Sequence, residues 1–152
     1  MSHSIKQIKA RKNISKALRL KLKEKYNGKC GYCSTPLTGK FHIDHINPFI
    51  AGGSCEEGNL LAVCISCNLQ KGGRGLEEFR EFLHDKLYQL SLVANYEVAK
   101  RYRLIKEIQK VIIFEFERIQ MKAEMENDLK NGFSDRYVHK TNFYDVNGSE
   151  DA

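Results

Sequence analysis

The chain has 152 residues, 41% hydrophobic and 29% charged, a length that holds one compact domain, or a small domain with a helical piece appended, and excludes two large ones. The formal charge of +6 is unevenly held: residues 1–29 carry ten Lys or Arg against the single acid Glu24, for +9, which leaves the remainder at −3. No stretch approaches the roughly 20 apolar residues of a membrane-spanning helix, and Met1-Ser2-His3-Ser4-Ile5-Lys6 has neither the apolar core nor the cleavage site of a secretory signal, so the sequence reads as cytoplasmic.

Residues 1–12 are expected to form a flexible basic arm. A basic arm on a slightly acidic body suits a polyanion such as nucleic acid. From Asn13 or Ser15, either able to cap a helix, Ile14, Leu18, Leu22 and Tyr26 recur every four residues, and Asn27-Gly28 closes the run. Lys16, Arg19 and Lys23 fall together on another face of this helix and are candidate phosphate contacts.

Cys30-Gly31-Tyr32-Cys33 reads as a metal knuckle, and Ser34 to Gly39 as the turn leaving it. Phe41 to Ile46 alternates β-branched and aromatic residues and reads as a strand, ended by Asn47-Pro48. A loop with Gly52-Gly53 and Gly58 runs to Asn59. Leu60 to Cys64 reads as a second short strand, and Ile65 to Lys71 as a brief helix stopped by Gly72-Gly73. Beyond Gly75, Leu76, Phe79, Phe82, Leu83, Leu87 and Leu90 form a helical stripe, and a longer helix is expected from about Asn95 to Leu129, with Val111-Ile112-Ile113-Phe114 buried on more than one side. An antiparallel hairpin or an oligomer interface would bury it. The tail at 131–152 is polar with an acidic end and is expected to be weakly ordered. No internal repeat is present.

Four of the five cysteines stand in two Cys-x-x-Cys pairs, Cys30/Cys33 and Cys64/Cys67. In a reducing compartment such pairs point to metal rather than to disulfides, and four thiolates make a closed tetrahedral zinc site with no position for substrate. The zinc is therefore structural. Cys55, in a Gly-Gly-Ser-Cys loop, is left as a non-ligating thiol. Within the loop that the zinc closes, Asp44, His45 and Asn68 supply a carboxylate, an imidazole and an amide oxygen, groups that suit a hard cation and a general base. His42 would share the strand face of Asp44. Lys71 and Arg74, at the exit of the short helix, are candidate phosphate contacts. Lys-Gly-Gly-Arg-Gly is not a nucleotide-cradling loop, because the required Gly-Lys-Ser/Thr ending is absent.

The ordered set Cys-x-x-Cys, Asp-His-Ile, Gly-Gly, Asn-Leu, Cys-x-x-Cys-Asn, Lys resembles the zinc-braced, four-cysteine branch of the HNH endonuclease family over about residues 28 to 75. The resemblance implies a small ββα-metal core, so the chain is expected to be α+β: a nuclease unit at 13–75 that begins with the basic helix, preceded by the arm at 1–12 and followed by a helical extension at 76–130. It implies that Asp44 and Asn68 hold a catalytic Mg²⁺ or Mn²⁺, that His45 is the general base in cleaving DNA, and that Asn59 supports the long loop without touching metal. Mg²⁺ needs few protein oxygens and keeps positions for water and phosphate, so one carboxylate and one amide are a sensible pair. An imidazole with an ordinary pKa of about 6.5 accepts a proton at neutral pH. Restriction, phage defence and mobile elements are the settings such an enzyme would serve, as a homodimer or docked on a larger defence partner through the C-terminal helices. The competing readings are a zinc-braced nucleic-acid-binding module without catalysis and a nuclease subunit of a larger assembly.

Overall fold

The computed structural model describes residues 14–106 and 111–131, so the arm expected at 1–12 and the tail from 132 onward lie outside the described residues. Helix α1 (Lys16–Lys25) begins at Ser15, whose hydroxyl accepts the Leu18 N–H at 3.1 Å and satisfies one donor that a helix start leaves open. Leu22 and Tyr26 from its apolar stripe are buried, and Asn27 and Gly28, both at positive φ, turn the chain out of the helix.

Strand β1 (His42–His45) pairs antiparallel with β2 (Leu60–Val63), with His42 opposite Val63 and His45 opposite Leu60. All four residues of β2 are buried, and an apolar run without alternation is what a strand covered on both faces needs. Helix α1 packs against β2, and helix α2 (Ile65–Lys71) packs against β1. The order strand, loop, strand, helix is the ββα unit read from the sequence.

The loop between the strands is tightly built. It contains two short 3₁₀ turns, Phe49–Ala51 and Glu57–Asn59. Gly53 passes so close to Asn47 that a Cβ there would lie 1.9 Å from the Asn47 carbonyl oxygen, so only glycine fits. The knuckle is joined to the sheet by the Gly31 N–H, which donates to the Ala62 carbonyl at 2.9 Å.

Helix α3 (Leu76–Ser91) starts at Gly75, whose N–H donates to Glu78 Oε2 at 2.8 Å. Its stripe serves the core only in the first half. Phe79 is 1% exposed, whereas Leu87 and Leu90 are 45% and 51% exposed.

The single long helix expected from about Asn95 to Leu129 is not formed. Helix α4 (Ala94–Arg101) ends before Arg103, which is at positive φ; Val111 to Phe114 has no helical structure, and α5 (Glu115–Lys130) begins afresh. The physical reason lies at the knuckle. Phe114 packs edge-on against Tyr32 at 5.1 Å and flat against Phe79 at 5.4 Å. The first N–H groups of α5, on Glu115 and Phe116, donate to the carbonyls of Tyr32 and Gly31 at 3.3 and 2.9 Å. Helix-start donors lack intrahelical partners, so the knuckle backbone caps α5 and sets where it begins. The chain divides into two compact units, the first ending at Phe116 and the second holding the rest of α5.

Candidate active site and metal centre

The two knuckle cysteines and the two cysteines around the start of α2 bring their sulfurs within 4.8 Å of one another, and Cys55 stands outside this cluster. Cys64 is also the N-cap of α2, its sulfur accepting the Cys67 N–H at 3.4 Å. Thiols this close cannot all ionise unaided. The hydrogen bond from Cys67 is the main reason that Cys30 is held down to about 4, and the same bond pushes Cys67 up, while burial pushes Cys64 up. A divalent soft cation resolves the conflict by taking all four as thiolates, which is the donor set of a structural zinc.

Asp44, His45 and Asn68 line one open, polar cleft of about 460 Å³, together with Arg19, Leu69 and Gly72 among others. Asp44 and His45 come from the end of β1 and Asn68 from the middle of α2, so the ββα unit is what converges them. Asp44 is held on one oxygen. Its Oδ2 accepts the Tyr32 hydroxyl at 2.8 Å and lies 3.0 Å from Lys71 Nζ, while no other group among the described residues bonds the carboxylate. Oδ1 has no hydrogen-bond partner among the described residues. Asn68 is oriented in the same manner: its Nδ2 is 2.9 Å from His42 Nδ1, and with that nitrogen accepting, Asn68 Oδ1 is left without a hydrogen bond among the described residues.

His45 is 8% exposed, with its Nε2 3.5 Å from Cys55 Sγ and its ring edge-on to Phe49 at 5.7 Å. Asn59 acts as a clamp. Its Oδ1 accepts the Asn47 N–H at 2.8 Å, and its Nδ2 donates to the carbonyls of Asn47 and Ser54 at 3.0 and 2.8 Å, which closes the loop that follows His45.

The basic residues divide by burial. Lys71 has no exposed surface; its Nζ donates to the His45 carbonyl at 2.8 Å and faces Asp44, so the phosphate contact expected of Lys71 has no accessible amine to make it. Arg74 is half-buried, bonded to the Gln70 carbonyl at 3.0 Å and stacked over Phe82 at 4.3 Å, where it closes the end of α2. Arg19 donates to the Phe41 carbonyl at 2.7 Å, and both it and Lys23 lie over the Phe41 ring, at 5.1 and 5.7 Å. Lys16 is exposed at the start of α1. Tyr32 was not a sequence candidate. Its phenol is buried, with its pKa pushed up by that burial and by the Asp44 charge, so it stays a donor. The only signal for it was the rule that a buried tyrosine needs a hydrogen-bond partner.

Residues 30–74 match the family model of the HNH endonucleases. The matched segment begins at the first knuckle cysteine and ends just past α2, so it contains the whole cysteine cluster and Asp44, His45 and Asn68 of the cleft. Comparison with curated proteins finds no match. Among the described residues no helix is long and apolar enough to cross a membrane.

Proposed function

We propose that the chain is a metal-dependent endonuclease that hydrolyses DNA phosphodiester bonds, with His45 as general base and Asp44 and Asn68 as ligands of Mg²⁺ or Mn²⁺. The observation that carries the reading is that Asp44, His45 and Asn68 line one open cleft in which Asp44 Oδ1 and Asn68 Oδ1 accept no hydrogen bond from any described residue. When bound there, the ion supplies Lewis-acid polarisation of the scissile phosphate and stabilises the departing 3′ oxygen.

The chain's own residues supply the rest. His45 takes the proton of the attacking water, and the Asn59 clamp fixes the loop behind it. Arg19, in the cleft lining and bonded to the Phe41 carbonyl, meets the phosphate backbone, with Lys16, Lys23 and the half-buried Arg74 as further contacts. Water attack with loss of the 3′ oxygen leaves 5′-phosphate and 3′-hydroxyl ends. The cysteine cluster, holding Zn²⁺, braces the fold and takes no part in the reaction.

Restriction, phage defence or a mobile element is the setting we assign. The apolar residues of the C-terminal half, among them Leu92, Tyr102 and Leu104 at 67%, 71% and 76% exposed, are where a second copy or a larger partner would dock. The test is incubation of supercoiled plasmid, and separately of structured RNA, with the purified chain and Mg²⁺ or Mn²⁺, with and without chelator. Nicked or linear DNA that appears only with the ion is the expected result. Metal-independent retention of DNA with no cleavage would instead support a binding module.

A further inference from the structure

Tyr32 stands between two members of the cysteine cluster, Cys30 and Cys33, yet its side chain reaches away from the sulfurs to Asp44. Three observations fix it there. Its ring is 4% exposed and packed edge-on against Phe79, Phe114 and Phe116 at 5.4, 5.1 and 6.2 Å. Its carbonyl accepts the Glu115 N–H. Its hydroxyl is 2.8 Å from the same Asp44 oxygen that faces Lys71. A carboxylate swings about its Cβ–Cγ bond unless something holds one oxygen, and here both holders, the phenol and the ammonium, are themselves buried.

We propose that Tyr32 is a positioning residue for the catalytic ion: its hydroxyl, set by the zinc knuckle, holds Asp44 Oδ2 so that Oδ1 is presented to the cation in the cleft. The two metal centres are thereby coupled through a single side chain. Hydrogen-bond partners of a metal-ligating group are worth about 10- to 100-fold in metal affinity or activity. This inference rests on the metal reading of the cleft given above.

The test is Tyr32→Phe, which keeps the ring in its aromatic cluster and removes only the hydroxyl. Zinc content and thermal midpoint report the fold; Mn²⁺ affinity, measured by calorimetry on the zinc-loaded chain without nucleic acid, reports the ligand; Asn68→Ala, altered on the other side of the cleft, is the control. The expected result is wild-type zinc in Tyr32→Phe, with Mn²⁺ affinity lowered about 10-fold or more and plasmid cleavage restored in large part by raising Mn²⁺. If Asn68→Ala loses affinity while Tyr32→Phe binds Mn²⁺ as wild type does, the positioning role is overturned and the metal reading stands. If all three proteins bind Mn²⁺ alike, or none binds it, the metal reading itself falls and the inference falls with it. A Tyr32→Phe chain whose cleavage is low and insensitive to Mn²⁺ concentration also overturns the inference, because the lost hydroxyl would then act on something other than the ion.

Discussion

An ammonium group without exposed surface is costly to desolvate unless a counter-charge meets it, and Asp44 meets Lys71 at 3.0 Å. Asp44 therefore serves the fold as well as the cleft. Asp44→Ala should cost about 3 to 5 kcal/mol, the penalty for leaving one member of a buried pair behind, measured by denaturant unfolding. The double change Asp44→Asn with Lys71→Met removes both charges and should recover most of that loss while cleavage stays absent. A double variant no more stable than Asp44→Ala would show that the pair is not the cause. His45 separates from these residues by its signature: His45→Ala should keep zinc and DNA binding yet slow cleavage by roughly 10² to 10⁴, or about 3 to 5.5 kcal/mol of barrier. Added metal should rescue Asn68→Ala and leave His45→Ala slow; equal rescue of both would make His45 a ligand. That Asp44, His45 and Asn68 meet in one cleft and that Asn59 ties down the loop was legible, because their chemical types occur in order at telling spacings. The places of Tyr32 and Lys71 were not, because residue type does not disclose which lysine is buried or which tyrosine meets a carboxylate.

At the scale of elements, the knuckle and α2 are one cooperative piece, since Cys64 is at once a member of the sulfur cluster and the N-cap of the helix that carries Asn68. Elemental analysis should find one tightly held zinc per wild-type chain, and Cys64→Ser should abolish it and melt α2, because binding free energy at such a site is folding free energy; Cys55→Ser should leave zinc content unchanged. A Cys64→Ser chain with full zinc would refute the four-sulfur assignment. Helix α1, both strands and α2 were readable within a residue or two, since periodicity, caps and glycine stops agreed with one another. The region from Asn95 to Leu129 misled because its apolar residues are dense enough to mimic a helical face. What interrupts it is tertiary: Phe114 and the first donors of α5 are taken by Tyr32 and Gly31, more than 80 positions earlier in the chain, and no local pattern records that.

Across the whole molecule, charge and packing each make a demand that can be measured. Deleting residues 1–12 removes Lys6, Lys9, Arg11 and Lys12; if these meet phosphates, the slope of log affinity against log salt should fall by about 3 to 4 units, and an unchanged slope would show the arm does not contact the backbone. Packing ties the start of α3 and residues 112–115 to the knuckle. Phe79 and Phe114 cover Tyr32 from elements far apart in sequence, Arg80 lies over the Phe114 ring at 4.6 Å and donates to the Ile112 carbonyl, and Ser34 donates to Glu115 at 2.6 Å. Phe114→Ala should therefore cost about 3 to 5 kcal/mol, the usual range for emptying a buried aromatic position. It should also lower Mn²⁺ affinity in the same direction as Tyr32→Phe, because a cavity beside the Tyr32 ring lets its hydroxyl drift from Asp44. A matched loss at exposed Val111 should do neither. If Phe114→Ala destabilises the chain but leaves Mn²⁺ affinity intact, the aromatic cluster holds the fold together without setting the geometry of the cleft, and the residues beyond Gly75 would be support alone.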